Sequence, residues 1–145
     1  MTRSSAKQRR RRRSGYLLLE LLLLLPILLV VVLAAVEFGM LLHARQQLVA
    51  ASREACRVAA VGGTAEEATD LARRVLGPGR LGSADVLLTT EEGVPLLPGH
   101  CVATGETVAA WVRLPAHHAV PDLLRFIGVS IKQDELVGRT VMRRE

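Results

Sequence analysis

Apolar residues change their spacing three times along this chain. From Leu17 to Val36 they have no period: eleven Leu, four Val and one Ile share twenty positions with a single charge, Glu20. Such an unbroken run reads as a helix apolar all round, suited to lipid. Next, Leu41/Leu42, Leu48/Val49 and Ala55/Cys56 recur every seven residues, with Gln46, Gln47, Arg53, Glu54 and Arg57 lying away from them. That pattern continues the helix with one apolar stripe, which Gly62-Gly63 ends. Lasting under three heptads, the stripe suits a packing face for the chain's own domain better than a coiled-coil seam. Thr64-Ala65-Glu66-Glu67 has capping-box spacing and opens a second helix, with Ala68, Leu71, Ala72, Val75 and Leu76 inward and Gly77-Pro78-Gly79 as its stop. The period then falls to two. Asp85 to Thr90 and Thr107 to Leu114 read as strands, the second with Val108, Ala110, Val112 and Leu114 on one face, and Leu136 to Met142 reads as the last. Pro121 to Ile127 is a short helix candidate, its apolar Leu123, Leu124, Phe126 and Ile127 expected in the core, with contact to lipid or a partner as the alternative. The expected class is α+β. A long N-terminal helix continues into a small domain of short helices and an antiparallel sheet of about three strands, packed on the stripe at residues 48 to 59.

The sixteen Leu, Val and Ile residues of the first segment favour the bilayer by roughly 5 to 9 kcal/mol. One carboxylate at mid-membrane costs about 2.5 to 3.5 kcal/mol, and less near an edge. Insertion wins. Twenty helical residues span about 30 Å, the thickness of the hydrocarbon core. Leu17 then falls at one interface and Glu37 at the other, with Glu20 one turn inside.

Charge sets the orientation. The net charge of +5 belongs to the tail: residues 1 to 15 hold Arg3, Lys7 and Arg9 to Arg13 with no acid, and the remainder holds 12 basic against 14 acidic groups. Basic groups before the span put the N-terminus in the cytoplasm and the remainder outside it. A folded nucleic-acid surface is not implied, since the cations precede an apolar run and do not cover a domain. A cleaved secretory signal is disfavoured, because the run is too long and Leu33-Ala34-Ala35-Val36 is a poor cleavage site.

Little in the rest points to catalysis. No GxSxG, Walker or HExxH pattern occurs, and the acids are scattered. The chain is read as a non-enzyme with no cofactor, no metal and no small-molecule substrate. His100-Cys101 and His117-His118 lack metal-ligand spacing and read as loop residues. Outside the cytoplasm, Cys56 and Cys101 have two readings, a disulfide tying the long helix to the sheet region or two separate small residues. Trp111 faces away from Val112, to pack or to sit near the membrane.

The junction Arg13-Ser14-Gly15-Tyr16-Leu17-Leu18-Leu19-Glu20 carries the most specific pattern. A basic leader ends in Gly, and Glu follows five residues later inside an apolar helix. With Pro26 in the span, Glu37-Phe38-Gly39 at its end, the run Ala51 to Ala59 and the closing Val141-Met142-Arg143-Arg144-Glu145, the chain resembles the TadE-like pseudopilins of tight-adherence (Flp) pili, which are type IV pilin-like proteins. One departure is Leu21, where many Tad subunits carry an aromatic. The resemblance implies a pilin-like domain and cleavage by a prepilin peptidase between Gly15 and Tyr16. It implies that Glu20 receives the new amine of a neighbouring subunit during assembly. Its implied partners are the membrane, the peptidase, sister pseudopilins and Tad inner-membrane assembly proteins, with no nucleic acid. Pro26 should kink the helix, either to let it repack on leaving the bilayer or as a tolerated membrane proline. The expected plan is a cytoplasmic leader at 1–15, a membrane helix at 16–42, its extracytoplasmic continuation at 43–62 and a small domain at 63–145. The alternative is an uncleaved membrane-anchored interaction module unrelated to pili.

Overall fold

The computed structural model describes residues 4–130 and 134–144, with side chains from Tyr16 onward. The basic side chains of the leader and Glu145 lie outside the described residues. The order is α1 (Ser4–Ala60), α2 (Ala65–Leu76), a 3-10 turn (Arg80–Ser83), β1 (Asp85–Thr90), β2 (Thr107–Pro115), α3 (Ala116–Ala119), a second 3-10 turn (Leu124–Ile127) and β3 (Glu135–Arg143). The α+β class with a three-stranded antiparallel sheet is as expected. The chain divides into two compact units, Met1–Val36 and Glu37–Glu145.

Among its described residues the first unit is helix alone. Its large apolar side chains from Tyr16 to Val32 stand mostly exposed, and none is buried. So wide an apolar surface has no counterpart among monomers in water.

The second unit is built on the last turns of α1. Ala44, Leu48, Ala51, Ser52, Ala55, Cys56 and Ala59 are buried there, at spacings of three and four. Leu48, Ala55 and Cys56 of the expected stripe are among them, while Leu41 and Val49 are half-buried and Leu42 is exposed, so the buried face is shifted toward the small residues. The sheet accounts for the difference, because it lies close enough to need small side chains. Gly138 in β3 makes the nearest approach. A Cβ there would stand 2.5 Å from the carbonyl carbon and oxygen of Leu48 and 2.7 Å from the nitrogen of Val49. Beside it, the Ser52 and Thr140 hydroxyls share a hydrogen bond of 2.7 Å, and the Cys56 thiol donates to the Thr140 carbonyl at 3.1 Å. Sheet and helix therefore meet as expected over residues 48 to 59.

Local sequence explains the breaks. The Gly63 N–H donates to Val58 O at 2.9 Å and the Gly62 N–H to Ala59 O at 3.2 Å, the paired bonds of a Schellman end, with Gly62 at φ 94°. The capping box is formed by Thr64 and Glu67. Helix α2 buries Ala68, Ala72 and Leu76, while Val75 is exposed, so its inner face is narrower than expected. In the sheet, Val86 faces Val112, Ala110 faces Thr140 and Leu114 faces Leu136. Val108, Ala110, Val112 and Leu114 form the buried row, as their alternation predicts. On the other face, Trp111 donates its indole N–H to Thr89 Oγ1 at 3.3 Å. The Arg139 and Arg113 guanidinium carbons lie 4.5 and 5.3 Å from its ring centre.

One segment departs from expectation. The helix expected over Pro121 to Ile127 is a 3-10 turn of four residues, halted by Gly128 at φ 86°. Leu123 and Leu124 are half-buried, but Phe126 and Ile127 are exposed, which corrects their expected place in the core. His117 and His118 lie in α3, not in a loop, with their rings edge to face.

Candidate processing and assembly site

Gly15 and Tyr16 both fall within α1, so the bond between them is helical here and not extended. A protease that binds an extended backbone would have to unwind a turn, which glycine's poor helix propensity makes easier by about 1 kcal/mol. Tyr16 is 70% exposed. Glu20 follows it by four residues, one turn further on the same face. Its side chain is exposed, and it forms no ion pair with any described residue. In lipid such a carboxylate is a high-energy group in search of a cation. Pro26 lies inside α1 and is exposed, and its missing N–H leaves the Leu22 carbonyl without its usual donor.

The second unit opens on another glutamate. Glu37 is 2% exposed, and its Oε2 accepts from the backbone N–H groups of Leu123 and Leu124, each at 3.1 Å. Those donors belong to the opening of the second 3-10 turn, where backbone N–H groups lack partners within the element. A carboxylate satisfies both. Next to it Ala116 and Val120 are buried against Met40, Leu41 and Leu136, making a small core of their own. The sequence marks Glu37 by its place at the end of the span and within the Glu-Phe-Gly signature. Its partners, 86 and 87 positions away, have no local signal.

Cys56 and Cys101 are both free, one buried and the other exposed, so no bridge ties α1 to the loop before β2. Burial pushes the Cys56 thiol above its ordinary range. It acts as a small core residue with a weak donor. Among the described residues no three of His, Cys, Asp and Glu gather in a metal-binding group.

No curated protein and no solved structure matches this chain. A family model does: the one described as TadE-like protein matches residues 15–57. The match starts at Gly15, takes in Tyr16, Glu20, Pro26 and Glu37, and ends one residue past Cys56. Among the described residues one helix, near the N-terminus, is long and apolar enough to cross a membrane, which fits a single-pass membrane protein. The TadE-like family points to a structural protein associated with Tad pili, and it is to this family that the helical segment, residues 15–57, is matched.

Proposed function

We propose that the chain is a pseudopilin, a minor structural subunit of a Tad (Flp-type) pilus, trimmed after Gly15 by a prepilin peptidase. It is inserted in the bacterial inner membrane with its leader in the cytoplasm and its α+β domain outside. Sister pseudopilins and the Tad inner-membrane assembly proteins are its partners. The supporting observation is Glu20: an exposed carboxylate within an apolar helix, one turn from Tyr16, with no ion-pair partner among the described residues. Trimming would create an α-amine on Tyr16, largely protonated at neutral pH since such amines titrate near 7.7 to 8.0. The amine of one subunit pairing with Glu20 of the next would remove two exposed charges from lipid and set the axial register. Work of this kind is helix packing and needs no catalytic group.

Mass spectrometry of the native N-terminus tests the proposal. The expected start is Tyr16, and Gly15→Leu should abolish trimming. Glu20→Ala should be inserted and trimmed but fail to assemble. An intact leader in cells that carry the peptidase would refute the proposal. It would favour the uncleaved anchored module, with which the helical Gly15–Tyr16 bond is also compatible.

A further inference from the structure

The segment from Asp122 to Ser130 is a closed loop with Leu123 and Leu124 half-buried and Phe126, Ile127 and Val129 outward. Ser130 Oγ donates to Asp122 Oδ2 at 2.8 Å and joins the loop's ends. Glu37 holds its start through the N–H groups of Leu123 and Leu124. Between these fastenings Phe126 is 64% exposed, and Ile127 and Val129 are about half exposed. Arg125 is exposed among them. Three exposed apolar side chains within four residues of a loop fastened at both ends make a local group suited to use as a contact surface.

Covalent connectivity identifies that use. Glu37 is the residue after the apolar run ending at Val36, and that run matches the hydrocarbon thickness. For a span near the membrane normal, the carboxylate gripping the loop therefore lies where the chain leaves the bilayer. Two hydrogen bonds of 3.1 Å keep Leu123 and Leu124 at that level. Phe126 and Ile127, two to four residues on, are within reach of the acyl boundary. An arginine beside them has the reach to set its guanidinium among lipid phosphates while its stem lies in the apolar layer.

We infer that residues 123–129 form a membrane-surface foot: Phe126, Ile127 and Val129 enter the outer headgroup and acyl boundary of the bilayer that α1 crosses, and Arg125 meets lipid phosphate. The foot fixes the height and rotation of the domain on the membrane. It depends on the span but not on the pilus proposal, and stands if Gly15 is never cut.

The test uses the full chain in vesicles of phosphatidylethanolamine and phosphatidylglycerol, with Cys101→Ser removing the exposed native thiol. A spin label is placed at Phe126→Cys, in a second chain at Ile127→Cys, and in a third at Val94→Cys. Val94 serves as reference, being exposed in the β1–β2 connection. Labels at 126 and 127 should collide with oxygen and lose collisions with a water-soluble nickel complex, at depths of about 5 to 10 Å. The label at 94 should show the reverse. Trp111 emission confirms that each chain is folded. Equal nickel access at 126, 127 and 94 in folded chains would overturn the inference. So would protection that vanishes as the lipid-to-protein ratio is raised, since the cover would then be a second copy of the chain.

Discussion

Gly138→Ala should be among the most damaging single-methyl changes available in this domain. The added Cβ would lie 2.5 Å from the Leu48 carbonyl carbon and oxygen, where ordinary contact begins near 3.4 Å. Both partners are backbone, so no rotamer change relieves the clash, and β3 must retreat from α1 by about 1 Å. A gap of that size forfeits a quarter to a half of each dispersion contact across the seam. It also stretches the Ser52–Thr140 hydrogen bond from 2.7 Å past useful length. Overpacking costs about 1 to 3 kcal/mol, and the lost hydrogen bond about 0.5 to 1.5 kcal/mol. The expected loss is therefore about 2 to 4 kcal/mol, a large part of what a small domain holds. Urea unfolding of the full chain in detergent micelles reads it directly, because Trp111 is the single tryptophan and stacks on Arg139, next to Gly138. Gly79→Ala is the control: no atom lies within 4 Å of its would-be Cβ and its φ is −80°, so it should change stability by less than about 0.5 kcal/mol. A loss below about 1 kcal/mol for Gly138→Ala, with the control neutral, would refute the close seating of the sheet on the helix.

Further outcomes follow from the same structure. A maleimide probe should label the exposed Cys101 at once and Cys56 only after unfolding; equal rates in the native protein would contradict the burial of Cys56. Because the native Cys56 thiol keeps its proton to higher pH than the unfolded one, its contribution is whole below about pH 8.5 and is lost as pH climbs toward the raised native value. Cys56→Ala should flatten that alkaline decline in a stability–pH series. Thr64→Ala removes the acceptor for the Glu67 N–H and should cost about 1 kcal/mol in the same urea titration.

Elements with a local signal in the sequence are legible, and those fixed by distant contacts are not. Thr64-x-x-Glu67, Gly62-Gly63 and the alternation through β2 each state their geometry within a few residues, and each element formed at the expected place. The buried face of α1 is partly legible: Leu48, Ala55 and Cys56 of the expected stripe are buried, while Ala44, Ala51 and Ala59 beside them have no apolar bulk to mark them. Which face is inward is decided by how closely β3 approaches, and Gly138 carries that information 90 positions from Leu48. Phe126 and Ile127 were misplaced for a related reason: composition shows that a residue avoids water without showing whether protein or lipid removes it. In the span the reverse holds. The spacing of Gly15 and Glu20 is visible in sequence alone, whereas a single chain cannot display the neighbour contact proposed for Glu20.

The grip of Glu37 on Leu123 and Leu124 bears on how a soluble fragment should be cut. A truncation chosen to start after the long helix would discard the surface on which β3 rests and the carboxylate that caps a distant turn. Residues 37 to 60 are about 35 Å of helix that look like a stalk and serve as the floor of the fold. A fragment beginning at Glu37 retains both, while one beginning at Leu48 keeps the residues under β3 but loses the carboxylate and the small core that Met40 and Leu41 make with Ala116 and Val120.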